Sequence, residues 1–347
     1  MIDWFRGEIE FLHIPIPTGR VMSISPEGDI EWESLKSTHC RGSHESSLKI
    51  RSGGGDGKGN ATSLLIDGNI SKFLQGHNIF GSLDLNRLVY LTFQKLLDLH
   101  SDYLTALSSS ELVLAKIKKG DYLVKMLDIN FLFDVKNDES VESWLHAAEM
   151  NARTRSGRSC RDKGTVYLQK SSRRWAFKFY NKYREAILSR SKKHKLNENL
   201  AGQGIEEFIR GLLRAELRLM SLELKDLKIS HGYHFTEKKL IELFNEYLGR
   251  INMNNQATLI DEQLLKLPRP LQATYQLWRQ GANLKDLMAQ NTFYRHRRQL
   301  LEQGVDITMP PPNNFDKPNN VIPLMKIIEA TPVSIPKWAY EKGLIAA

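Results

Sequence analysis

Cysteine is almost absent from this chain. Cys40 and Cys160 are the two in 347 residues. Their spacing fits neither a disulfide framework nor a cysteine-held zinc site, and it suits a reducing compartment. Long apolar runs are missing too, so no segment reads as a transmembrane span. Asp3, Arg6, Glu8 and Glu10 interrupt the stretch where a secretory signal needs an apolar core. His231-Gly232-Tyr233-His234 lacks the alternation that puts two imidazole ligands on one strand face. No internal repeat stands out. These absences predict a soluble, cytoplasmic protein without a membrane partner.

Acid is scarce in one region. Between Arg153 and Lys195 only Asp162 and Glu185 oppose a crowd of cations that includes Arg158, Arg161, Arg173, Arg174, Lys178, Lys182, Arg184 and Arg190. Tyr167, Trp175, Phe177, Phe179, Tyr180 and Tyr183 interleave with them. Cations for phosphates and flat rings for bases are what single-stranded DNA binding requires. The whole chain carries a formal charge of +9 with a pI near 9.3, which favours a polyanionic partner over a merely solvated basic face. At 41% hydrophobic residues the chain can bury a real core, and its length suggests two units.

Alternation of Ile9, Phe11 and His13 predicts short strands in residues 1–50. The glycine-rich stretch 53–59 reads as a hairpin loop. A strand follows over Ser63–Ile66, ending in a turn at Asp67-Gly68-Asn69, and residues 71–81 read as a glycine-bounded loop. Helical spacing of Leu85, Leu88, Val89 and Phe93 predicts a helix over 84–106. Residues 121–135 read as a strand and 138–151 as a helix. Thr165–Gln169 and Trp175–Tyr180 form a hairpin around Ser171-Ser172-Arg173. A basic helix begins near Lys182, a helix covers 205–213 and a strand runs from Leu213 to Leu219. Helices then dominate, at 236–250, 257–280, 283–289 and 291–303, with Gly281 and Gly304 as stops. The expectation is an α+β antiparallel-sheet domain over residues 1–232, a helical region over 233–310 and an irregular tail over 311–347.

Three segments carry chemistry. Tyr180 stands at a strand end, with Lys182 two residues on and on the same face of an extended strand. A tyrosine can attack a phosphodiester if its high pKa is offset by a lysine or a metal; otherwise it packs or stacks on a base. In Lys125–Phe131, Asp128 and Asn130 share one strand face while Leu127, Ile129 and Phe131 face the core. In Leu213–Leu219, Arg214, Glu216 and Arg218 share a face. Glu216 is either an oxygen ligand for Mg²⁺ or Mn²⁺ or a carboxylate paired with Arg214 or Arg218 on an exposed sheet face. His77, in Gln75-Gly76-His77-Asn78, is a metal ligand, a phosphate contact or a loop hydrogen bonder. Residues 283–303 resemble a helix-turn-helix offering Tyr294, Arg295, Arg297 and Arg298 to DNA; a basic surface helix of a bundle is the alternative.

These segments, in this order, resemble the gene II / gene X replication initiators of filamentous phages. The matching pieces are Lys72 to Gly81, the Asp128 strand, Tyr180-Asn181-Lys182 with Glu185, Gly211 to Glu216, Phe293-Tyr294-Arg295 and Asn319 to Leu324. The strand tyrosine and the Arg-x-Glu piece also look like plasmid rolling-circle initiators of the Rep-trans type. The resemblance implies a Rep/HUH-like nicking domain followed by a DNA-binding region. It implies that Tyr180 nicks one strand of a duplex origin, forms a 5′-phosphotyrosyl link and later religates the displaced strand, with Lys182 as helper. Asp128 and Glu216, completed by His77 or Asn130, would hold Mg²⁺ or Mn²⁺. Arg173, Arg174, Lys178, Tyr183, Arg184 and Arg214 would contact DNA, with Tyr183 an alternative or second nucleophile. The partners would be duplex origin DNA, single-stranded DNA, a host helicase and the replicative polymerase. The chain departs from the wider His-hydrophobe-His nuclease class in having no such motif. The rival reading is an origin-binding regulator that never cuts. A nuclease using water and a conjugative relaxase are further alternatives.

Overall fold

The computed structural model describes residues 1–43, 46–107, 109–155, 157–189, 195–252, 267–309 and 332–346. Strands dominate the first part: β1 (Ile2–His13), β2 (Arg20–Ile24), β3 (Ile30–Leu35), β4 (Thr38–Arg41), β5 (Ser47–Gly53), β6 (Ala61–Asn69) and β7 (Leu123–Asp134). They are followed by β8 (Arg153–Thr154), β9 (Gly157–Arg158), β10 (Cys160–Asp162), β11 (Thr165–Leu168), β12 (Trp175–Asn181) and β13 (Leu212–Met220). Nine of them form one sheet in the order β10-β11-β12-β13-β7-β1-β6-β5-β4, every neighbouring pair antiparallel. β2 with β3, and β8 with β9, make separate two-stranded ribbons. The architecture is therefore α+β with a large antiparallel sheet, as the strand alternation predicts.

One face of the sheet is covered by α2 (Leu85–Leu99), α3 (Asp138–Asn151) and α5 (Glu237–Gly249), whose apolar stripes share a core with the strands. Trp144 of α3 lies edge-on to Phe179 of β12, centroids 5.0 Å apart. Phe244 of α5 packs on Phe131 and Phe177. The helix over 237–249, grouped by the sequence reading with the C-terminal region, thus packs into the sheet's core. A separate small core of Leu271, Tyr275, Trp278, Leu284, Phe293 and Leu300 joins α6 (Arg269–Arg279), α7 (Leu284–Leu287) and α8 (Gln290–Leu301). Residues 257–266 and the Asn319–Leu324 segment lie outside the described residues.

Several local expectations are corrected. Asp67-Gly68-Asn69 is strand, because β6 is paired with β1 on one side and β5 on the other. Gly68 leaves room for Leu48, whose Cδ2 would lie 2.6 Å from an added Cβ. Asn69 is instead the N-cap of α1 (Ile70–Gln75), accepting from Lys72 N at 2.7 Å, so residues 71–75 are helix rather than loop. The helix expected over 205–213 shrinks to Glu206–Phe208. The basic helix at Lys182, α4 (Lys182–Ala186), has a single turn or so. The tail is not wholly irregular: α9 (Lys337–Glu341) docks its Ala339 and Trp338 on a second cluster with Phe80, Ile209 and Phe208.

Removing the buried indole should be felt throughout the sheet. Trp144→Ala is expected to cost about 3–5 kcal/mol of unfolding free energy, whereas Trp32→Ala, on the exposed β2–β3 ribbon, should change it by less than about 0.5 kcal/mol. Urea unfolding followed by circular dichroism measures both.

Candidate active site

The face of the sheet away from that core is polar at its centre. In β13, Leu213, Ala215, Leu217 and Leu219 point into the core, so the pleat sends Arg214, Glu216 and Arg218 to the other side. β13 lies between β12 and β7, which adds Lys178 and Tyr180 from one neighbour and Asp128 and Asn130 from the other. Register sets the pairs: Tyr180 opposite Arg214, Lys178 opposite Glu216, Glu216 opposite Asn130 and Arg218 opposite Asp128. This face is not exposed. Asp128, Asn130, Lys182, Arg214 and Glu216 are each 1% exposed or less, and Tyr180 is 7% exposed.

Such burial needs compensation. Lys178 Nζ meets Glu216 Oε1 at 2.6 Å. The Arg218 fork holds both Asp128 oxygens at 2.7 and 2.6 Å. The Tyr180 hydroxyl donates to Glu216 Oε2 at 3.2 Å. The sequence's alternative, Glu216 paired with an arginine on an exposed face, is therefore replaced: its cation is Lys178, and the face is enclosed. Among the described residues neither amide atom of Asn130 has a hydrogen-bond partner, and neither do Nε and Nη1 of Arg214.

Asp3 belongs to the same cluster and was missed. Strict alternation with Phe5 and Ile9 would turn it toward the core. The ladder between β1 and β7 shifts between Ile2 and Phe5, and this irregularity turns Asp3 to the polar face. There it binds Asn69 and Asn78. The legible signal was a carboxylate at a core-facing strand position, a conflict that a bulge resolves. Lys182 reaches the cluster from the first turn of α4 rather than from an extended strand. Its ammonium binds Asn78 Oδ1 at 2.9 Å and Glu185 Oε2 at 2.6 Å. Asn78 also presents its main-chain oxygen to Arg214 Nη2 at 2.6 Å. The Gln75-Gly76-His77-Asn78 motif thus organises three charged groups through Asn78.

His77 does not join a ligand set. Its Nδ1 accepts from Ile79 N at 3.2 Å, which leaves the proton on Nε2, and Nε2 donates to the Leu344 carbonyl at 2.8 Å. Gln75 Oε1 accepts from Ala346 N, so the tail clasps this loop twice. Val333 N donates to Leu132 O, laying the tail beside Asn130, where Ile79, Phe80, Phe208 and Val333 border a small cleft. Among the described residues no three His, Cys, Asp or Glu side chains gather as a ready metal cage.

The electrostatics follow from burial and pairing. Burial, then the charge of Glu216, pushes Asp128 up to about 8 against the pull of Arg218. Burial also raises Glu216, but Lys178 and hydrogen bonding outweigh it and hold Glu216 at about 2. Burial, then Arg214, pulls Lys182 down to about 8 although Glu185 opposes. Burial, then Glu216, pushes the Tyr180 phenol well above its ordinary value, while Arg214 pulls it down.

The expected DNA contacts divide. Arg173 is exposed at the β11–β12 turn. Arg184 is largely exposed and reaches Glu142. Tyr294, Arg295 and Arg298 form an exposed stripe on α8. Four others are turned inward or committed. Lys178 and Arg214 belong to the buried face. Arg174 is held by Glu223 and Asp226. Arg297 lays its fork on buried Asp306 at 2.9 and 2.9 Å. Arg153 meets the same carboxylate at 3.1 Å, bracing the small helical core against the β8–β9 ribbon. Tyr183 packs with Ile79, Phe80 and Leu200, its hydroxyl toward Glu206, away from the Tyr180 cluster.

Residues 1–238 match the family model for the N-terminal part of the phage gene II replication-associated protein, and residues 259–345 match the model for its C-terminal part. The chain is similar to the replication-associated protein of Enterobacteria phage I2-2, 42% identical over 336 residues, covering 97% of this chain and 95% of that one. No solved structure matches significantly.

The Asp128 shift fixes the sign of a pH effect. A carboxyl whose pKa is raised by folding contributes stability that is full below its unfolded value near 4 and is lost as pH rises through about 8. Asp128→Asn mimics the protonated form and removes that dependence. From pH 6 to 9 the thermal midpoint of the wild type should fall more steeply than that of Asp128→Asn; parallel curves would contradict the shift.

Proposed function

The chain belongs to the phage gene II replication-associated protein family, and on that premise we propose that it initiates rolling-circle replication by nicking one strand of a duplex origin with Tyr180. One observation carries the choice of nucleophile. Both neighbouring tyrosines direct their hydroxyls to a glutamate, Tyr180 to Glu216 and Tyr183 to Glu206, but Tyr180 does so on the strand face it shares with Arg214 and Lys178, whereas Tyr183 lies in the separate cluster of Ile79, Phe80 and Leu200. In the reaction the phenolic oxygen bonds to phosphorus, the bond from phosphorus to the 3′ oxygen breaks, and the 3′-hydroxyl leaves with a proton. The phenolic proton faces a carboxylate acceptor in Glu216. The 5′-phosphotyrosyl link conserves the bond energy needed to rejoin the strand when a later 3′-hydroxyl attacks it.

Tyr180 needs help, because its own surroundings favour the neutral phenol. Arg214 supplies positive charge close by, and Lys182 stands near Arg214. Mg²⁺ or Mn²⁺ would compete with Lys178 and Arg218 for the two carboxylates of the cluster. Asn130 offers an unpartnered buried oxygen between Glu216 and the Asp128 strand position, and two crowded carboxylates are relieved by a hard dication. Glu216, Asp128 and Asn130 would hold it, and when bound it would polarise the scissile phosphate. The exposed stripe of Tyr294, Arg295 and Arg298 on α8, behind the short α7, suits the major groove of the origin. Arg173 and Arg184 suit the displaced single strand. A host helicase and polymerase would then extend from the free 3′ end.

Supercoiled DNA carrying the cognate origin, incubated with protein and Mg²⁺ and run on a denaturing gel, tests the reading. Wild type and Tyr183→Phe should yield a nick and a covalent protein–DNA band, with Tyr183→Phe within about threefold of wild type. Tyr180→Phe should lose at least about a thousandfold, the loss expected for deleting a nucleophile. Binding without any covalent band would favour a non-cutting origin regulator. Metal binding is read separately. Mn²⁺ titrated calorimetrically at pH 7 in two buffers of different ionisation enthalpy should release close to one proton with the wild type, and Asp128→Asn should bind it at least about tenfold more weakly, as expected for a lost ligand; unchanged affinity in Asp128→Asn would remove Asp128 from the ligand set.

A further inference from the structure

Arg214 is fully buried, yet its guanidinium is only partly used. Nη2 is fixed from behind by the main-chain oxygen of Asn78 at 2.6 Å. Among the described residues Nε and Nη1 have no partner. Buried donors are seldom left so, and an arginine fork is costly to strand. Three carboxylates act on it through space, Asp3, Glu185 and Glu216. Each is engaged elsewhere: Asp3 with Asn69 and Asn78, Glu185 with Lys182, Glu216 with Lys178 and Tyr180. The fork therefore lacks an anion of its own. Arg214 stands directly opposite Tyr180 in the ladder between β12 and β13, where facing side chains lie about 4.5–5.5 Å apart at Cβ. A guanidinium N–H donates a charge-assisted hydrogen bond to a phosphate oxygen.

We propose that Arg214 contacts the phosphodiester that Tyr180 attacks, donating from one of its unpartnered groups, Nε or Nη1, to a non-bridging oxygen. The Asn78 loop sets the contact: the same residue anchors Lys182 by its side chain and Arg214 by its backbone, so the two cations keep a fixed relation to the tyrosine. The ligand class is a single phosphate of a DNA strand, read by charge and shape and not by base. This assignment rests on the tyrosine-nicking reading for the identity of that phosphate.

The test is a charge scan made without cleavage. The proteins are Tyr180→Phe, Tyr180→Phe/Arg214→Gln and Tyr180→Phe/Arg214→Lys. The probes are single-stranded oligonucleotides of the cognate origin, each with one neutral methylphosphonate at a successive linkage. With Tyr180→Phe, neutralising the linkage at the mapped nick should weaken binding by about 10- to 100-fold, as expected for a charge-assisted pair. Arg214→Gln should abolish the penalty at that linkage alone and leave the flanking penalties intact. Arg214→Lys keeps the charge without the fork and should retain a reduced penalty; it also serves if thermal unfolding shows the glutamine variant misfolded. Equal penalties in all three proteins, or a coupled linkage away from the nick, would overturn the assignment. The scan needs no turnover. A linkage coupled to Arg214 in a protein that never forms a covalent band would therefore sink the nicking reading while leaving a phosphate contact.

Discussion

Two close pairings on the enclosed face of the sheet, Lys178 with Glu216 and Arg218 with Asp128, let four ionisable groups sit where water hardly reaches. Their cations keep some contact with solvent, Lys178 at 26% and Arg218 at 34%, while both carboxylates are almost fully covered. Buried pairs of this kind add little net stability, but removing one partner costs about 3–5 kcal/mol because the other is stranded. The strand register that brings them together is thus held on both faces, by apolar packing on one side and by charge matching on the other. A one-residue slip of β13 would put Arg214, Glu216 and Arg218 into the core and Leu217 among the carboxylates.

A cluster of perturbed groups of both signs is unusual as mere scaffolding. Proton affinities diverge within the cluster: burial and the charge of Glu216 hold Asp128 up near 8 against its cations, whereas Lys178 and hydrogen bonding hold Glu216 down near 2 against burial. On the proposed reading, one carboxyl would serve as an acceptor beside the phenol, and the other would not add a second full negative charge next to a phosphate, which is itself an anion.

Much of this was legible in the sequence, and the failures have physical causes. Periodicity of two placed Asp128 with Asn130 and Arg214 with Glu216 and Arg218, because a central strand must alternate. It could not show that the second face is enclosed, since the enclosing parts, the 77–81 loop and the tail, are remote in sequence. Asp3 was hidden by the irregularity in β1, which reverses the alternation locally. Of the three roles the sequence left open for His77, the structure shows the loop hydrogen bond, whose partner is a backbone carbonyl invisible to any motif. Arg297 looked like a DNA contact because Asp306 lies beyond the helix, where helical spacing gives no guide. The α5 helix carries no mark of which core it joins; its stripe of Leu240, Leu243, Phe244 and Tyr247 would suit either.

The bond from His77 to Leu344 spans 267 positions of the chain. Contacts so distant form late, because closing so large a loop costs entropy that only an already folded framework offsets. The sheet and its apolar core can be complete while the 77–81 loop still lacks its clasp. Asn78, which ties Lys182 to Arg214, settles only when that loop does. The arrangement around Tyr180 is therefore tied, through Asn78 and its loop, to a contact with Leu344 far along the chain.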